Sequence, residues 1–175
     1  MKRIVITLGS AMLALAAATA AFAGSMATTA TVTGTAGISL THSATATVTN
    51  TIDGSDQIAS YAPALAVIDA RGLGTGWNLT ISATAFTDGA SHTLAQPTIA
   101  AVASACHAGS TCTAASNAIA YPLTVGTVAA KFFNATANSG LGKIDVTPTI
   151  NIAVPGNAYA GTYTSTVTLA SVAGP

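Results

Sequence analysis

The stretch Ile144-Asp-Val-Thr-Pro-Thr-Ile-Asn-Ile-Ala-Val154 decides the fold class of this chain. Its large apolar residues fall on alternate positions, namely Ile144, Val146, Ile150, Ile152 and Val154. Side chains two residues apart share a face of a β-strand, so this pattern predicts a strand with one buried face. Pro148 has no amide hydrogen to donate, so we expect this strand to lie at a sheet edge or to carry a bulge there.

The same two-residue period recurs along the chain, with threonine on alternate positions. It is found in residues 30–36, 44–52 and 162–169. Threonine is β-branched and its hydroxyl tolerates water, so it suits the outer face of a strand. Residues 77–85 form a further predicted strand, with Trp77, Leu79 and Ile81 facing inward. Other candidate strands are residues 65–69, 119–125 and 128–133.

Breaker segments rich in glycine, aspartate, asparagine and serine separate these predicted strands. They lie at residues 53–56, 72–76, 88–89 and 138–140. Short strands at this spacing indicate an all-β fold. We expect a single antiparallel β-sandwich over residues 24–175, of the jelly-roll or immunoglobulin-like type. The alanine-rich segment 97–104 fits either a short helix or part of a loop.

The first 23 residues have the three parts of a secretory signal peptide. Lys2 and Arg3 supply a positive start, an apolar core follows as far as Ala18, and residues 21–23 read Ala-Phe-Ala. The core is short for a bilayer span, which requires about 20 strongly apolar residues. We expect cleavage after Ala23 and a secreted chain at the cell surface or outside the cell. An uncleaved membrane anchor is the alternative.

The chain after residue 23 carries very few charges. Three basic side chains against five aspartates, with no glutamate, leave a net charge of −2 with histidine neutral. No basic patch is available to neutralise phosphates, which argues against nucleic-acid binding. Weak repulsion between copies suits close contact with other copies, with polysaccharide or with a wall matrix. The alternative is a low-charge secreted protein with no special partner.

The sequence lacks the residue groupings of common enzymes. Without glutamate, paired carboxylates are scarce, and none of the serines lies in a Gly-x-Ser-x-Gly context. The loop Asp53-Gly-Ser-Asp56 is either a plain turn or a Ca²⁺ loop, although an EF-hand pattern is absent. We expect a non-enzymatic protein without catalytic residues, cofactor or resident metal.

Cys106 and Cys112 are the only two cysteines and flank a short loop of turn-forming residues. In an exported chain this spacing predicts a local disulfide. The alternative is a metal site that also uses His107. A structural zinc site requires four ligands, and the other histidines, His42 and His92, lie far away along the chain.

The segment Asp69-Ala-Arg-Gly-Leu-Gly-Thr-Gly-Trp-Asn-Leu-Thr-Ile81 resembles the WxL-domain family of bacterial surface proteins. In that family an Asp-x-Arg segment leads through a glycine-rich turn to a Gly-Trp-x-Leu strand. Residues 159–169 resemble the family's last strand, with Val167-Thr-Leu169 where the family repeats Trp-x-Leu. The resemblance implies an exported, β-rich protein that associates non-covalently with the bacterial wall.

This resemblance marks Asp69, Arg71, Trp77 and Leu79 as candidate contacts with a surface or ligand. The residues also permit a second interpretation, in which Trp77 beside a glycine-rich turn is a core residue. Asp69 and Arg71 share a strand face, so we expect a surface ion pair that contributes less than about 1 kcal/mol.

Two non-enzymatic functions fit these observations. One is a structural or surface protein held non-covalently on the cell wall or extracellular matrix. The other is a subunit of an extracellular filament or pilus, in which residues 28–40 of one copy complete the sheet of the next. That segment alternates, is uncharged and contains no proline, so nothing discourages edge pairing. The residues that would pair between copies are Thr31, Val32, Thr33 and Ile38. The alternative is that the segment is the first strand of its own sandwich.

Overall fold

The structure, a computed structural model, describes residues 29–35 and 37–175. The predicted leader, residues 1–23, lies outside the described residues. Residues 32–175 form one compact unit. Its strands are β1 Ile38–His42, β2 Gln57–Tyr61, β3 Leu65–Asp69, β4 Trp77–Ala83, β5 Phe86–Thr87, β6 Thr93–Leu94, β7 Thr98–Cys106, β8 Leu123–Thr124, β9 Ala130–Ala135, β10 Gly142–Val154 and β11 Val167–Ala173.

Two antiparallel sheets form a sandwich, which confirms the predicted all-β fold class. The larger sheet has the order β1-β3-β10-β7-β8, and β2 pairs with β10 on the same edge as β3. The smaller sheet has the order β11-β4-β9. Strands β5 and β6 form a separate short hairpin. Within the described part of the chain, no helix is long and apolar enough to cross a membrane.

Strand β10 runs through the middle of the larger sheet. One edge pairs with β3 over residues 142–146 and with β2 over residues 150–154, while the other edge pairs with β7. Pro148 lies between the two pairings, and the ladder with β7 changes register between Thr149 and Ile150. Of the two expectations for Pro148, the irregular ladder is therefore correct and the edge strand is wrong. The buried residues of β10 follow the predicted alternation, namely Ile144, Val146, Pro148, Ile150 and Ile152, whereas Val154 is only half-buried.

The hydrophobic core draws on both sheets. Its largest buried apolar side chains are Leu65, Val67, Trp77, Leu79, Ile81, Ile99, Val125, Phe132, Phe133, Ile144 and Val146. Phe132 and Phe133 are neighbours, yet both are fully buried. Leu79 pairs with Phe133 while Thr80 pairs with Lys131, so Phe132 is an extra residue at a β-bulge. A bulge breaks the strict alternation of faces, which allows both rings to enter the core.

Several predicted elements differ from the structure. Residues 97–104, expected as a helix or loop, belong mostly to β7. Residues 44–52 contain no strand and are almost entirely exposed, although their alternation predicted one. Residues 119–125 contain only the two-residue β8, and the threonine-rich tail pairs as a strand only from Val167 onward. Alternation describes which side chains share a face, but a strand also requires a partner with free backbone groups.

Candidate functional site

Asp69 and Arg71 form a buried, bidentate ion pair at the end of β3. Arg71 Nε donates to Asp69 Oδ1 and Arg71 Nη2 to Asp69 Oδ2, each at 2.8 Å. The side chain of Asp69 is 0% exposed and that of Arg71 is 9% exposed. The predicted pairing is correct, but its predicted surface location is wrong. Since both side chains are buried and satisfied, they offer no contact to a ligand.

The electrostatics of this pair follow from its hydrogen bonds. The guanidinium of Arg71 holds the pKa of Asp69 below its ordinary value, although burial acts in the opposite direction. The carboxylate of Asp69 in turn raises the pKa of Arg71. Both side chains therefore stay charged at neutral pH, which makes the pair a permanent electrostatic tie inside the domain.

The carbonyl oxygen of Gly76 joins three segments of the chain. It accepts a hydrogen bond from Arg71 Nη2 at 2.8 Å and from the amide of Gly174 at 3.1 Å. Asn78 Nδ2 donates to the carbonyl oxygen of Gly174 at 2.7 Å. The Asp-x-Arg segment, the glycine-rich turn and the residues after β11 are therefore held together beside Trp77.

Trp77 lies in the core and is 0% exposed. Its Nε1 donates to the carbonyl oxygen of Gly140 at 2.9 Å, and its ring packs on Phe133 with centroids 5.8 Å apart. Gly140 has φ of +74°, and a Cβ there would lie 2.6 Å from Trp77 Nε1, so only glycine fits. Leu79 is also 0% exposed. Both residues are therefore core residues. The expectation that either side chain contacts a surface or ligand is wrong, because both are buried.

Val167-Thr-Leu169, the counterpart of the second Trp-x-Leu, opens β11 beside β4. Val167 pairs with Ala83 and Leu169 pairs with Ile81. Both apolar side chains are half-buried and pack against the core. The two motifs of the resemblance are therefore neighbours in one sheet, although β7, β8 and β10 of the larger sheet lie between them in sequence.

Cys106 and Cys112 form the predicted disulfide, with Cα atoms 5.6 Å apart. His107 instead contacts Asp145, with Nδ1 2.8 Å from Oδ1. Within residues 29–35 and 37–175, no group of three or more histidine, cysteine, aspartate or glutamate side chains is placed to hold a metal ion.

The Asp53–Asp56 loop is organised by its own hydrogen bonds. Asp53 Oδ1 accepts from the amide of Ser55 at 2.9 Å and from its hydroxyl at 2.6 Å. Asp56 Oδ1 accepts from the amide of Gly156 at 2.9 Å. The contacts with Ser55 lower the pKa of Asp53, chiefly through the Ser55 hydroxyl. The arrangement is that of an Asx turn tied to the turn after β10.

A family model, that of the WxL domain described as surface cell wall-binding, matches residues 29–171. This chain belongs to the WxL-domain family. No curated protein sequence and no solved structure matches it. The match covers both the Asp69-to-Leu79 motif and most of β11, so the resemblance is confirmed. The domain is accordingly a cell wall-binding domain of the cell surface.

The described part of the WxL domain has three basic residues, and they lie on different elements. Arg71 is committed to Asp69, and Lys131 on β9 donates to the carbonyl oxygen of Pro175 at 2.7 Å. Lys143 is half-buried on β10. These positions provide no cluster of cations for a polyanionic wall polymer.

The segment expected to pair between copies divides into two parts. Thr31, Val32 and Thr33 are exposed and belong to no described strand, with Val32 93% exposed. Ile38 opens β1, which pairs with β3 inside the WxL domain. Between these parts, the amide of Thr35 donates to the carbonyl oxygen of Ala70 at 2.9 Å. Only the residues from Ile38 onward match the expectation of a first strand.

A shallow cleft of about 240 Å³ lies between the β5–β6 hairpin and the loop that follows β10. The rings of His92 and Tyr159 stack there, with centroids 3.8 Å apart and planes inclined by 18°. Tyr163 Oη donates to the carbonyl oxygen of Tyr159 at 3.0 Å. The sequence analysis missed this cleft, because His92 and Tyr159 lie in separate loops that only the fold brings together.

Hydrogen bonds on both sides hold the cleft in shape. Asp88 Oδ2 lies 2.5 Å from His92 Nδ1, and Asp88 Oδ1 accepts from the amides of Ala90 and His92. The His92 side chain is the main reason that the pKa of Asp88 lies below its ordinary value. Thr87 and Thr164 exchange backbone hydrogen bonds of 3.1 and 2.9 Å, which join the hairpin to the loop.

Proposed function

We propose that this WxL domain is a secreted, non-enzymatic structural protein that the cell wall holds through non-covalent contacts with polysaccharide. The observation that carries the proposal is the family match over residues 29–171, which includes every described strand except the last two residues of β11. The scarcity of charged residues supports it, because hydroxyl and amide groups then make up most of the polar surface.

The burial of the motif residues supports different roles for buried and exposed side chains of the domain. Asp69, Arg71 and Trp77 stabilise the sandwich, so contact with the wall falls to exposed side chains. The solvent-facing threonines of the strands provide hydroxyl groups, and Leu73 and Tyr159 provide apolar surface at 68% and 64% exposure. Sugars have both hydroxyl groups and apolar ring faces, so this mixture suits a polysaccharide.

Co-sedimentation with purified cell walls tests the proposal. We expect the secreted protein to pellet with walls and to remain bound at about 1 M salt, where exposed charges are screened within about 3 Å. No sugar should be released from the walls during the incubation. An unrelated secreted β-protein of similar size serves as the control for trapping. Recovery of the protein in the supernatant at low salt would refute wall binding, and release at high salt would refute the uncharged mode of contact.

A second candidate function is strand exchange between copies in a filament. It is favoured by residues 30–35 and 44–52, which have strand alternation but lie outside every described strand. Deletion of residues 25–33 preserves the contact of Thr35 with Ala70 and removes the exposed residues before it, including Thr31, Val32 and Thr33. If copies exchange this segment, the deletion should convert large assemblies to folded monomers in size-exclusion chromatography. A full-length protein that is monomeric at high concentration would eliminate this candidate.

A further inference from the structure

The exposed face of Tyr159 is the starting point for a ligand site. His92 covers one side of the Tyr159 ring, yet the residue is 64% exposed. The opposite side of the ring is therefore open to solvent. A tyrosine held in this way presents a large apolar plane with little conformational freedom left to lose on binding.

The surroundings of this ring add polar groups to the apolar plane. Thr93 and Asn157 line the same cleft and are exposed. Tyr163 also lines it, and its hydroxyl donates to the carbonyl oxygen of Tyr159. A hydroxyl and a carboxamide next to a flat ring match the two surfaces of a pyranose: apolar C–H groups on one face and hydroxyls around the edge.

The charged groups near the cleft favour an uncharged wall polymer over a phosphate polymer. The residues that line it include neither lysine nor arginine, and the Asp88 carboxylate is hydrogen-bonded to His92, which lines the cleft. A phosphate polymer would find no lysine or arginine partner among the lining residues, and the nearest acidic group, Asp88, would not favour it. An uncharged sugar chain meets no such penalty.

We propose that the cleft formed by His92, Thr93, Asn157, Tyr159 and Tyr163 is a binding subsite for one uncharged pyranose ring of a wall glycan, stacked on Tyr159. The proposal deepens the wall binding proposed above and rests on it. Asp88 contacts His92, and the His92 ring stacks on Tyr159.

An NMR titration of the whole secreted protein tests the subsite directly. With the tetramer of N-acetylglucosamine as the probe, we expect saturable shifts of the amides of Thr93, Asn157 and Tyr159. Tyr159→Ala should weaken binding about tenfold, since it removes the stacking plane, whereas Tyr159→Phe should keep most of it. Val128→Ala removes another apolar side chain that is 80% exposed and serves as the matched control. A glycerol-phosphate polymer should cause no saturable shifts at these amides.

The possible results separate this proposal from wall binding in general. No saturable shifts with the tetramer, equal affinity of Tyr159→Ala and wild type, or tighter binding of the phosphate polymer at the same amides would each overturn the subsite. If wild type and Tyr159→Ala pellet equally well with walls, the subsite fails while wall binding stands. If the tetramer binds at the cleft but the protein does not pellet, wall binding fails; the cleft is then a sugar site, and its assignment to a wall glycan is overturned.

Discussion

Replacing Arg71 by alanine tests whether the Asp69–Arg71 pair acts as a buried tie. The change leaves the Asp69 carboxylate, which is 0% exposed, with the 3.1 Å bond from the Arg71 amide as its remaining contact in this group. It also removes the donor to the Gly76 carbonyl. Breaking a buried pair from one side costs about 3–5 kcal/mol, whereas a surface pair contributes less than about 1 kcal/mol. We expect the larger loss.

The measurement is urea unfolding at pH 7, followed by the fluorescence of Trp77, the only tryptophan and fully buried. Asp69→Ala and the double variant complete a thermodynamic cycle. Because the double variant leaves no unpaired charge, we expect a coupling free energy above about 2 kcal/mol. Lys131→Ala, which removes an exposed cation, is the control and should change stability by less than about 0.5 kcal/mol. A loss below about 1 kcal/mol for Arg71→Ala would show that the pair behaves as a surface pair and would refute the reasoning.

The other predictions concern the core, the disulfide, acid stability and export. Trp77→Ala should cost about 3–5 kcal/mol by far-ultraviolet circular dichroism; unchanged stability with loss of wall retention would contradict its core role. Replacing Cys106 and Cys112 by serine should cost about 2–3 kcal/mol, and the native protein should show no alkylatable thiol without reductant. The pKa of Asp69 is lowered by folding, so its contribution is present above about pH 4 and is lost as the pH falls through its folded pKa. The urea midpoint of wild type should therefore drop more between pH 7 and pH 3 than that of Asp69→Ala. N-terminal sequencing of the secreted chain should begin after Ala23, and a chain that begins at Met1 would exclude cleavage.

The fold class was predictable because alternation in residues 144–154 and 77–83 reflects burial of one strand face. The strand at residues 98–106 was not, since alanine fits either face of a strand and a helix equally well. Residues 44–52 alternate like a strand but have no neighbouring strand to pair with, and alternation contains no information on pairing. Phe132 and Phe133 violate alternation through a bulge that depends on the register with β4.

The candidate site was less predictable than the fold. The motif residues Asp69, Arg71 and Trp77 could be selected from the sequence. Their burial could not be predicted, because it depends on which strands cover them. The pairing of Cys106 with Cys112 was predictable because both lie in one short loop. The stack of His92 on Tyr159 requires the hairpin and the loop after β10 to meet, and no local pattern indicates that meeting.

The position of β11 constrains when this chain can fold. Strand β4 lies between β9 and β11, and β10 supplies the partner of β2, β3 and β7, so both sheets depend on late parts of the chain. In a chain that emerges from its N-terminal end first, the larger sheet lacks β10 until residue 154 is free, and the smaller sheet lacks β11 until residue 173 is free. Pairings so distant in sequence also form slowly. In the export proposed above, the complete sandwich can therefore form only once residue 173 has reached the outer side of the membrane.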